Sequence, residues 1–416
     1  MLLDTFFKWP TTVERLRGEV VGEHLDGFLA YMAAAGFAPL TMRQYLGGAI
    51  HFGRWARRVG LALKRVKADD VERFRRHLRR CRCRNGYHSR RCWRRQGVIA
   101  AVKWFVVYLR HVGIAPPLPV VVLPDLVGKF EAWMKEQRGS AERTLSDYRR
   151  HLLRFVETTR IGRRGLKLDA AVLRSYVIAR SQHTTRTQML VVVRALRMFV
   201  RFLVSTGQCA SHLDRAVPSV PHWRLSTTPR YLASSEIERV LARCDPSIPL
   251  GARDHAILLL LARLGLRADD VRRLQKTDLD WTAGRVRVVG KSRRPVWLPL
   301  PQEVGEAILK YLSMTRPVCA VLEVFVCDKA PHRPLGMTTV KGIAQRAIDR
   351  AGVVSPTKGA HVFRHSVATT LVRAGATLDE IGVLLRHASR DTTAIYAKVD
   401  LAALHLIAQP WPEPAP

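Results

Sequence analysis

Apolar residues recur at steps of three and four along most of the first half of the chain, which is the period of a helix with one buried face. Thr144 is predicted to cap a helix, with Asp147 three residues on, and Ser235 to cap another with Glu238. A typical stripe precedes Thr144 and consists of Leu126, Val127, Phe130, Trp133 and Met134. The pattern predicts a mainly helical protein.

The period changes to two in the last third of the chain. Val286 and Val288 alternate with arginines, and apolar residues resume at Val296 after a basic turn. This alternation predicts two or three short antiparallel strands. Residues from Met337 onward return to helical spacing. The predicted fold class is therefore mainly α with a small antiparallel β-sheet.

Two proline-rich stretches, residues 115–124 and 218–230, interrupt these patterns. Proline lacks a backbone N–H and biases the preceding residue toward extended backbone, so both stretches are interpreted as linkers. The predicted parts are residues 1–117, residues 118–217, a linker at 218–229, residues 230–408 and a tail at 409–416.

The first two parts share an aromatic pattern that suggests a degenerate internal repeat. Phe28 and Phe105 of the first correspond to Phe130 and Phe199 of the second. The first copy contains extra residues, which coincide with a stretch rich in cysteine and arginine at 79–95. A chance coincidence of helical patterns is the alternative interpretation.

The net charge of the chain says more about its binding partner than the overall composition does. The chain has 416 residues, with 69 Lys+Arg against 34 Asp+Glu, for a net charge of +35. A polyanion is the expected partner, because cations that neutralise phosphates release condensed counterions. No apolar run is long enough to span a membrane, and the N-terminus does not resemble a signal peptide. Seven cysteines without disulfide spacing favour a reducing cytoplasm, so a cytoplasmic, nucleoid-associated protein is expected.

The third part carries a set of side chains suited to phosphodiester chemistry. Arginine donates two parallel hydrogen bonds to the charge that builds up on phosphoryl oxygens. A hydroxyl nucleophile needs activation, and the departing oxygen needs a proton donor such as lysine. The candidate set in chain order is Arg267, Asp270, Lys291, His361, Arg364, His387 and Tyr396.

This order and spacing resemble the catalytic domain of the tyrosine recombinase (phage integrase) family, whose pattern is Arg, Lys, His-x-x-Arg, His or Trp, and then Tyr. The resemblance covers about residues 230–406 and includes the flanking sequences LGLRADD and HVFRHSVATT. It implies an α+β catalytic domain at 230–408 and a helical, SAM-like core-binding domain at 118–217. Residues 1–117 are then an extra helical DNA-binding domain.

The resemblance also implies a mechanism. Tyr396 attacks the scissile phosphate to form a 3′-phosphotyrosyl bond, and His361 assists proton transfer at the nucleophile. Lys291 protonates the leaving 5′-oxygen. Arg267, Arg364 and His387 hold the phosphoryl oxygens. Neither ATP nor metal is required, because the covalent bond conserves the energy of the phosphodiester.

Two residues depart from the family pattern. Asp270 stands where the family usually has Glu, and is expected to support Arg267 with a shorter reach. Arg386 stands where a Gly normally precedes the second His, which leaves the local geometry of His387 open. The replacement of this Gly by Arg386 could also add a contact to a phosphate.

Arginines outside the catalytic set are expected to contact DNA phosphates. The candidates are Arg43, Arg82, Arg84, Arg90, Arg143, Arg149, Arg150, Arg154, Arg293 and Arg294.

The stretch at 79–95 also contains soft metal ligands, which make a structural zinc site a candidate. These ligands are Cys81, Cys83, His88 and Cys92. A basic loop that merely contains thiols is the alternative.

The expected function is site-specific recombination or integration for a mobile genetic element. Expected partners are double-stranded DNA, further copies of the chain in a tetrameric synapse that exchanges a C-terminal helix at 400–408, and accessory recombination proteins. A type IB topoisomerase and a non-catalytic DNA-binding regulator are the alternatives. The target sequence and the direction of the reaction stay open.

Overall fold

The structure is a computed structural model that describes residues 2–81, 95–117, 125–161, 168–221, 228–290, 295–357, 359–387 and 389–399. It contains two compact units, one combining Met1–Leu118 with Leu225–Pro416 and the other formed by Pro119–Arg224. The described chain is mainly helical with a three-stranded sheet, so the predicted fold class is confirmed. The exact boundaries of the predicted parts stay predictions.

The helices of the first 118 residues pack around a core of aromatic side chains. Phe28, Phe52, Phe74 and Phe105 are fully buried. Phe28 lies edge-on to Phe105, with ring centroids 5.2 Å apart. The helices are α1 (Leu2–Phe6), α2 (Pro10–Arg17), α3 (Gly22–Ala34), α4 (Pro39–Arg58), α5 (Ala68–Arg80) and α6 (Arg95–His111).

The second unit contains four helices with a similar core. They are α7 (Asp125–Arg138), α8 (Glu142–Thr159), α9 (Ala170–Ser181) and α10 (Arg186–Ser205). Phe130 lies edge-on to Phe199, with centroids 5.6 Å apart. These residues correspond to Phe28 and Phe105 in the predicted repeat. The same edge-on contact within α3–α6 and within α7–α10 supports the duplication.

The remaining helices and the sheet share a core in which one helix is buried on all sides over most of its length. The helices are α11 (Ser234–Ala242), α12 (Pro249–Arg263), α13 (Ala268–Arg273), α14 (Gln302–Lys310), α15 (Met337–Arg350), α16 (His361–Arg373) and α17 (Leu378–Leu384). In α12, every residue from Ala256 to Ala262 is buried, as expected of a helix surrounded by others. Among the described helices, none combines the length and hydropathy that a membrane span requires.

The sheet consists of β1 (Leu279–Asp280), β2 (Arg285–Val289) and β3 (Pro295–Pro299) in the antiparallel order β1-β2-β3. Val286 and Val288 are buried, whereas Arg285 is exposed. Val286 pairs with Leu298 across the β2–β3 ladder. The predicted alternation of one buried and one polar face is therefore confirmed for β2.

The predicted cap of α8 is wrong. The helix begins at Glu142, with Ala141 at the N-cap and no side-chain cap, so Thr144 lies inside its first turn. Asp147, expected to complete a capping box, instead accepts a hydrogen bond from Arg143 at 3.2 Å. Starting the helix at Glu142 places Arg143 and Asp147 four residues apart on one face, where they form an ion pair.

The predicted cap of α11 is displaced by two residues. The backbone N–H of Ala233 donates to the Glu236 carboxylate at 2.8 Å, which closes a box that starts before Ser235. Glu238 lies further along the helix and accepts a hydrogen bond from Arg263 at 2.6 Å. Glu236 and Glu238 were both available to close a capping box. Glu236 closes it, and Glu238 binds Arg263.

Candidate active site

A glycine turn carries the first arginine of the predicted set out of the buried helix α12. Gly265 has a φ of +57°, and a Cβ at this position would lie 2.7 Å from a methyl carbon of Leu385. Glycine alone fits both constraints. Arg267 follows at the N-cap of α13, and its backbone N–H donates to Asp270 at 3.1 Å. The turn and the carboxylate together fix the backbone position of Arg267.

The second arginine, Arg364, is held by backbone carbonyls. Its side chain lies on α16, and the residue is only 2% exposed. Nη1 donates to the Gly265 carbonyl at 2.7 Å, and Nη2 donates to the Leu385 carbonyl. Arg267 Nη2 lies 3.5 Å from the Arg386 carbonyl. Carbonyls orient both guanidinium groups without neutralising their charge, which leaves that charge for an anion.

The two residues that depart from the family pattern contact each other. Arg386 Nη2 donates to Asp270 at 2.8 Å, and the two side chains are 7% and 6% exposed. Arg386 adopts a φ of +53°, the left-handed conformation that favours glycine. The Asp270 carboxylate thus accepts a hydrogen bond from the backbone of Arg267 and pairs with the side chain of Arg386. Nε and Nη1 of Arg386 are buried and have no hydrogen-bond partner among the described residues.

Tyr396 lies in a short 3₁₀ helix (Ala394–Val399) and is only 2% exposed. Its hydroxyl is 2.8 Å from Nδ1 of His365. His365 is absent from the catalytic set predicted from the sequence. The signal available was its position four residues after His361, which places both imidazoles on one face of α16. Their rings are edge-on, with centroids 4.7 Å apart.

His387 is a second imidazole close to the phenol. Its ring is nearly parallel to that of Tyr396, with centroids 6.4 Å apart and 5° between the planes. Nδ1 of His387 is 2.7 Å from the hydroxyl of Thr393, which is itself buried. His387 thus lies beside the phenol even though Arg386, in the left-handed conformation, takes the place of the family's glycine.

Burial dominates the electrostatics of these groups. It raises the pKa of Tyr396 to about 12, an effect that Arg364 and Arg267 oppose. Burial, followed by repulsion from His361 and Arg364, lowers the pKa of His365 to about 4. His387 also has a pKa of about 4, owing first to burial and then to Arg364 and Arg267. Both imidazoles are neutral at pH 7, so they are available as proton acceptors.

The arginines of the site repel one another. Burial, with repulsion from Arg267 and Arg386, lowers the pKa of Arg364 to about 9. Desolvation and repulsion from Arg364 and Arg267 likewise lower the pKa of His361. Asp270 is the carboxylate that the described structure places among the three arginines. An anion bound here would relieve the repulsion, which is the property expected of a phosphoryl site.

Several predicted site residues lie outside the described residues. They are Lys291, Arg293, Arg294, Arg82, Arg84, Arg90, Cys83, His88 and Cys92. The strands that flank Lys291 are described, and a Cβ on Gly290 would lie 4.0 Å from Nη1 of Arg386. The β2 end of the hairpin therefore reaches the arginine cluster.

The predicted DNA-contacting arginines that are described differ in their partners. Arg149 forms two hydrogen bonds to the buried Glu131, at 2.5 and 2.8 Å. Arg143 and Arg150 each pair with Asp147. Arg154 is exposed. Arg43 is also exposed and donates to a backbone carbonyl at 3.3 Å. Contact with phosphate stays a prediction for all five.

Cys81, predicted as a metal ligand within the insert, lies beside two histidines that the prediction did not include. Its Sγ is 3.4 Å from Nε2 of His51. His51, His77 and Cys81 offer ligand atoms that all lie within 4.8 Å of one another.

The amino-acid sequence matches a known protein family and is similar to several known proteins. The family model described as "Phage integrase family" matches residues 230–402. "Putative integrase/recombinase y4rA" of Sinorhizobium fredii is 36% identical over 402 residues, which cover 94% of this chain and 95% of the relative. "Tyrosine recombinase XerD" of Xanthomonas axonopodis pv. citri is 31% identical over 304 residues, covering 70% of this chain and 97% of the relative.

Solved structures share the fold. XerH site-specific recombinase bound to a palindromic difH substrate has a TM-score of 0.55 and 20% identity, covering 67% of this chain and 83% of that one. The Tn1549 transposon integrase in complex with transposon right-end DNA has a TM-score of 0.51 and 14% identity, covering 67% and 99%.

Proposed function

The chain belongs to the tyrosine recombinase (phage integrase) family and is a tyrosine-type site-specific recombinase, and we propose that it cleaves duplex DNA through a 3′-phosphotyrosyl intermediate on Tyr396. The observation that carries this mechanism is the 2.8 Å contact between the Tyr396 hydroxyl and Nδ1 of His365. It joins a buried nucleophile to a neutral base, and Arg267 and Arg364 act electrostatically on the same phenol.

The arginines bind the scissile phosphate and stabilise its transition state. Arg364 is oriented by two carbonyls and Arg267 by its turn, so neither has to reorganise as charge develops. Arg386 adds a third guanidinium, and its Nε and Nη1, which have no hydrogen-bond partner among the described residues, suit a phosphoryl oxygen or a neighbouring phosphate.

His365 accepts the phenol proton as the bond forms between Tyr396 and phosphorus. In the tautomer that carries its proton on Nε2, Nδ1 accepts the hydrogen bond from the hydroxyl. A bound phosphate raises the pKa of this imidazole by its negative charge, which favours the transfer. His361, to which the family resemblance gives this role, contacts the ring of His365 edge-on.

Lys291 supplies the proton for the leaving 5′-oxygen, a role carried over from the family pattern. One phosphorus–oxygen bond breaks as one forms, so no energy source or metal enters the balance. The 5′-hydroxyl of a partner strand then attacks the phosphotyrosine and gives its proton to the neutral Lys291. The protonated His365 returns its proton to the departing phenolate, so the new strand is joined and both groups are regenerated.

The proposed substrate is the DNA of a mobile element. A relative that covers nearly the whole chain is named an integrase/recombinase, and the family match alone does not require residues 1–118. The net charge of +35 favours a long contact with duplex DNA. A tetrameric synapse with exchange of residues 400–408, and accessory recombination proteins, belong to the same proposal.

Covalent capture tests the proposal and identifies the target sequence in the same experiment. The protein is incubated with sheared DNA of its source organism, denatured, and the DNA that stays attached is sequenced. Enrichment of one sequence, joined in a fraction of molecules to a second site, supports recombination. Relaxation of any supercoiled plasmid with unselective capture would indicate a type IB topoisomerase instead. Absence of adducts would indicate a DNA-binding regulator.

A further inference from the structure

Three metal-ligating side chains meet where α5 ends, away from the set of side chains assigned to cleavage. His51 lies on α4 and is 5% exposed. His77 lies in the last turn of α5, and Cys81 follows the helix at its C-cap. A spacing of four residues brings His77 and Cys81 to one face of the helix end. Two helices thus contribute to one cluster.

The separation between Cys81 and His51 fits a tetrahedral zinc ion. Zinc binds thiolate sulfur at about 2.3 Å and imidazole nitrogen at about 2.0–2.1 Å, so a sulfur and a nitrogen of one site lie about 3.5 Å apart. Sγ of Cys81 is 3.4 Å from Nε2 of His51. The three ligand atoms lie within 4.8 Å of one another. Closing the widest separation, which is at most 4.8 Å, to about 3.5 Å would place the three atoms at three corners of a tetrahedron.

Aromatic rings surround the cluster. Phe74 lies edge-on to His51 at 5.2 Å and is 5.8 Å from His77, between ring centroids. Trp55 is 6.4 Å from His77. An apolar shell of this kind limits access of water to bound metal and holds the imidazoles in place.

The composition of α5 explains why a metal would be useful here. Val71 and Phe74 are its buried apolar side chains among those described, and arginines make up much of the rest. Val71 and Phe74 hold the first half of this 13-residue helix to the core, and the partly buried Leu78 packs near its end. Arg73 and Arg75 pair with acids three residues earlier. A metal shared with α4 would attach the helix end at the point where the chain enters the arginine-rich stretch.

We propose that His51, His77 and Cys81 bind a structural zinc ion that fixes the C-terminal end of α5 to α4. The described residues supply three of the four ligands that such a site usually has. This assignment differs from the ligand set suggested by the sequence, because two of its ligands come from helices upstream of the cysteine. No step of DNA cleavage passes through this metal.

Zinc content measures the proposal directly. Untagged full-length protein, produced with zinc in the medium and dialysed against metal-free buffer, is expected to retain about one zinc per chain. The variants His77→Phe and Cys81→Ser are expected to lose it. Cys209→Ser and His183→Phe, which change a thiol and an exposed histidine of the other unit, serve as matched controls and should retain it.

A rescue variant separates metal binding from misfolding. His77→Cys provides a thiolate in place of the imidazole and should restore the zinc that His77→Phe loses. Substitution with cobalt should give a thiolate charge-transfer band that Cys81→Ser lacks. Wild-type protein without bound zinc, or undiminished zinc in a His51→Phe, His77→Phe double variant, would overturn the assignment. Covalent capture on DNA is read separately, so either result leaves the proposed cleavage mechanism to its own test.

Discussion

The guanidinium of Arg386 lies 2.8 Å from the carboxylate of Asp270, and these are the two positions at which the chain departs from its family's pattern. Each departure alone would be costly. A buried aspartate without a partner is an uncompensated charge, and an arginine with a φ of +53° is strained. Together they form a pair, so the second residue compensates for the first.

Replacing one member of this pair should therefore destabilise the protein more than replacing both. For Arg386→Gly, relief of backbone strain returns about 1–2 kcal/mol, whereas the unpaired carboxylate costs about 3–5 kcal/mol. A net loss of roughly 2 kcal/mol in the free energy of unfolding is expected. Denaturant titrations of Arg386→Gly, Asp270→Asn and the double variant measure the coupling. Additive effects would show that the pair is not a unit.

His365 should matter more than His361 for the chemical step. Removing a positioned base typically costs about 10²-fold or more in rate. In single-turnover cleavage of a captured target, His365→Phe is expected to show this loss with unchanged DNA affinity. His361→Phe should lose less, because its ring contacts His365. The reverse ranking would support the assignment drawn from the family pattern over the one drawn from geometry.

The free energy of unfolding should rise with pH between about 4 and 6.5. Burial lowers the pKa of both His365 and His387 to about 4 from an ordinary 6.5. In this window the unfolded chain binds protons that the folded chain excludes, so stability is fully present above pH 6.5 and is lost as pH falls toward 4.

Urea titrations from pH 4.5 to 7.5 measure this dependence. The double variant His365→Phe, His387→Phe should reduce the slope of the curve, whereas His183→Phe, which changes an exposed histidine, should leave it unchanged. A wild-type curve that is already flat would mean that neither imidazole is buried in its neutral form.

Arginines of the second unit should separate into two classes. Arg149 is bound by the buried Glu131, so Arg149→Ala should lower stability by about 3–5 kcal/mol by leaving a buried carboxylate unpaired. Arg154 is exposed, and Arg154→Ala should weaken DNA binding and reduce the slope of log K against log salt by about 1. Equal effects of the two variants on the salt slope would contradict the division.

Local chemistry was largely predictable from the sequence. The alternation at Val286 and Val288 identified β2, and the spacing of Arg267, Arg364 and Tyr396 identified the family. Both depend on neighbours within a few residues or on a shared pattern. Helix starts were less predictable, since Ser235 and Thr144 each had competing partners that only the tertiary structure reveals.

Contacts between distant segments could not be predicted from spacing. His365 and Tyr396 are 31 positions apart, and their hydrogen bond depends on how the 3₁₀ helix packs against α16. The pairing of Arg386 with Asp270 spans 116 positions. His51 and Cys81 meet only because α4 and α5 adjoin. A single sequence records the residue types at these positions and not their proximity.

A suicide substrate tests most directly whether Tyr396 forms a covalent bond with DNA. A duplex carrying the captured target with a nick just 3′ of the scissile phosphate loses a short strand after cleavage, which traps the adduct. Wild-type protein is expected to accumulate a denaturation-resistant adduct whose modified peptide contains Tyr396. Tyr396→Phe should bind the same duplex with similar affinity and give no adduct. Adducts that persist in Tyr396→Phe would contradict the assignment of the nucleophile.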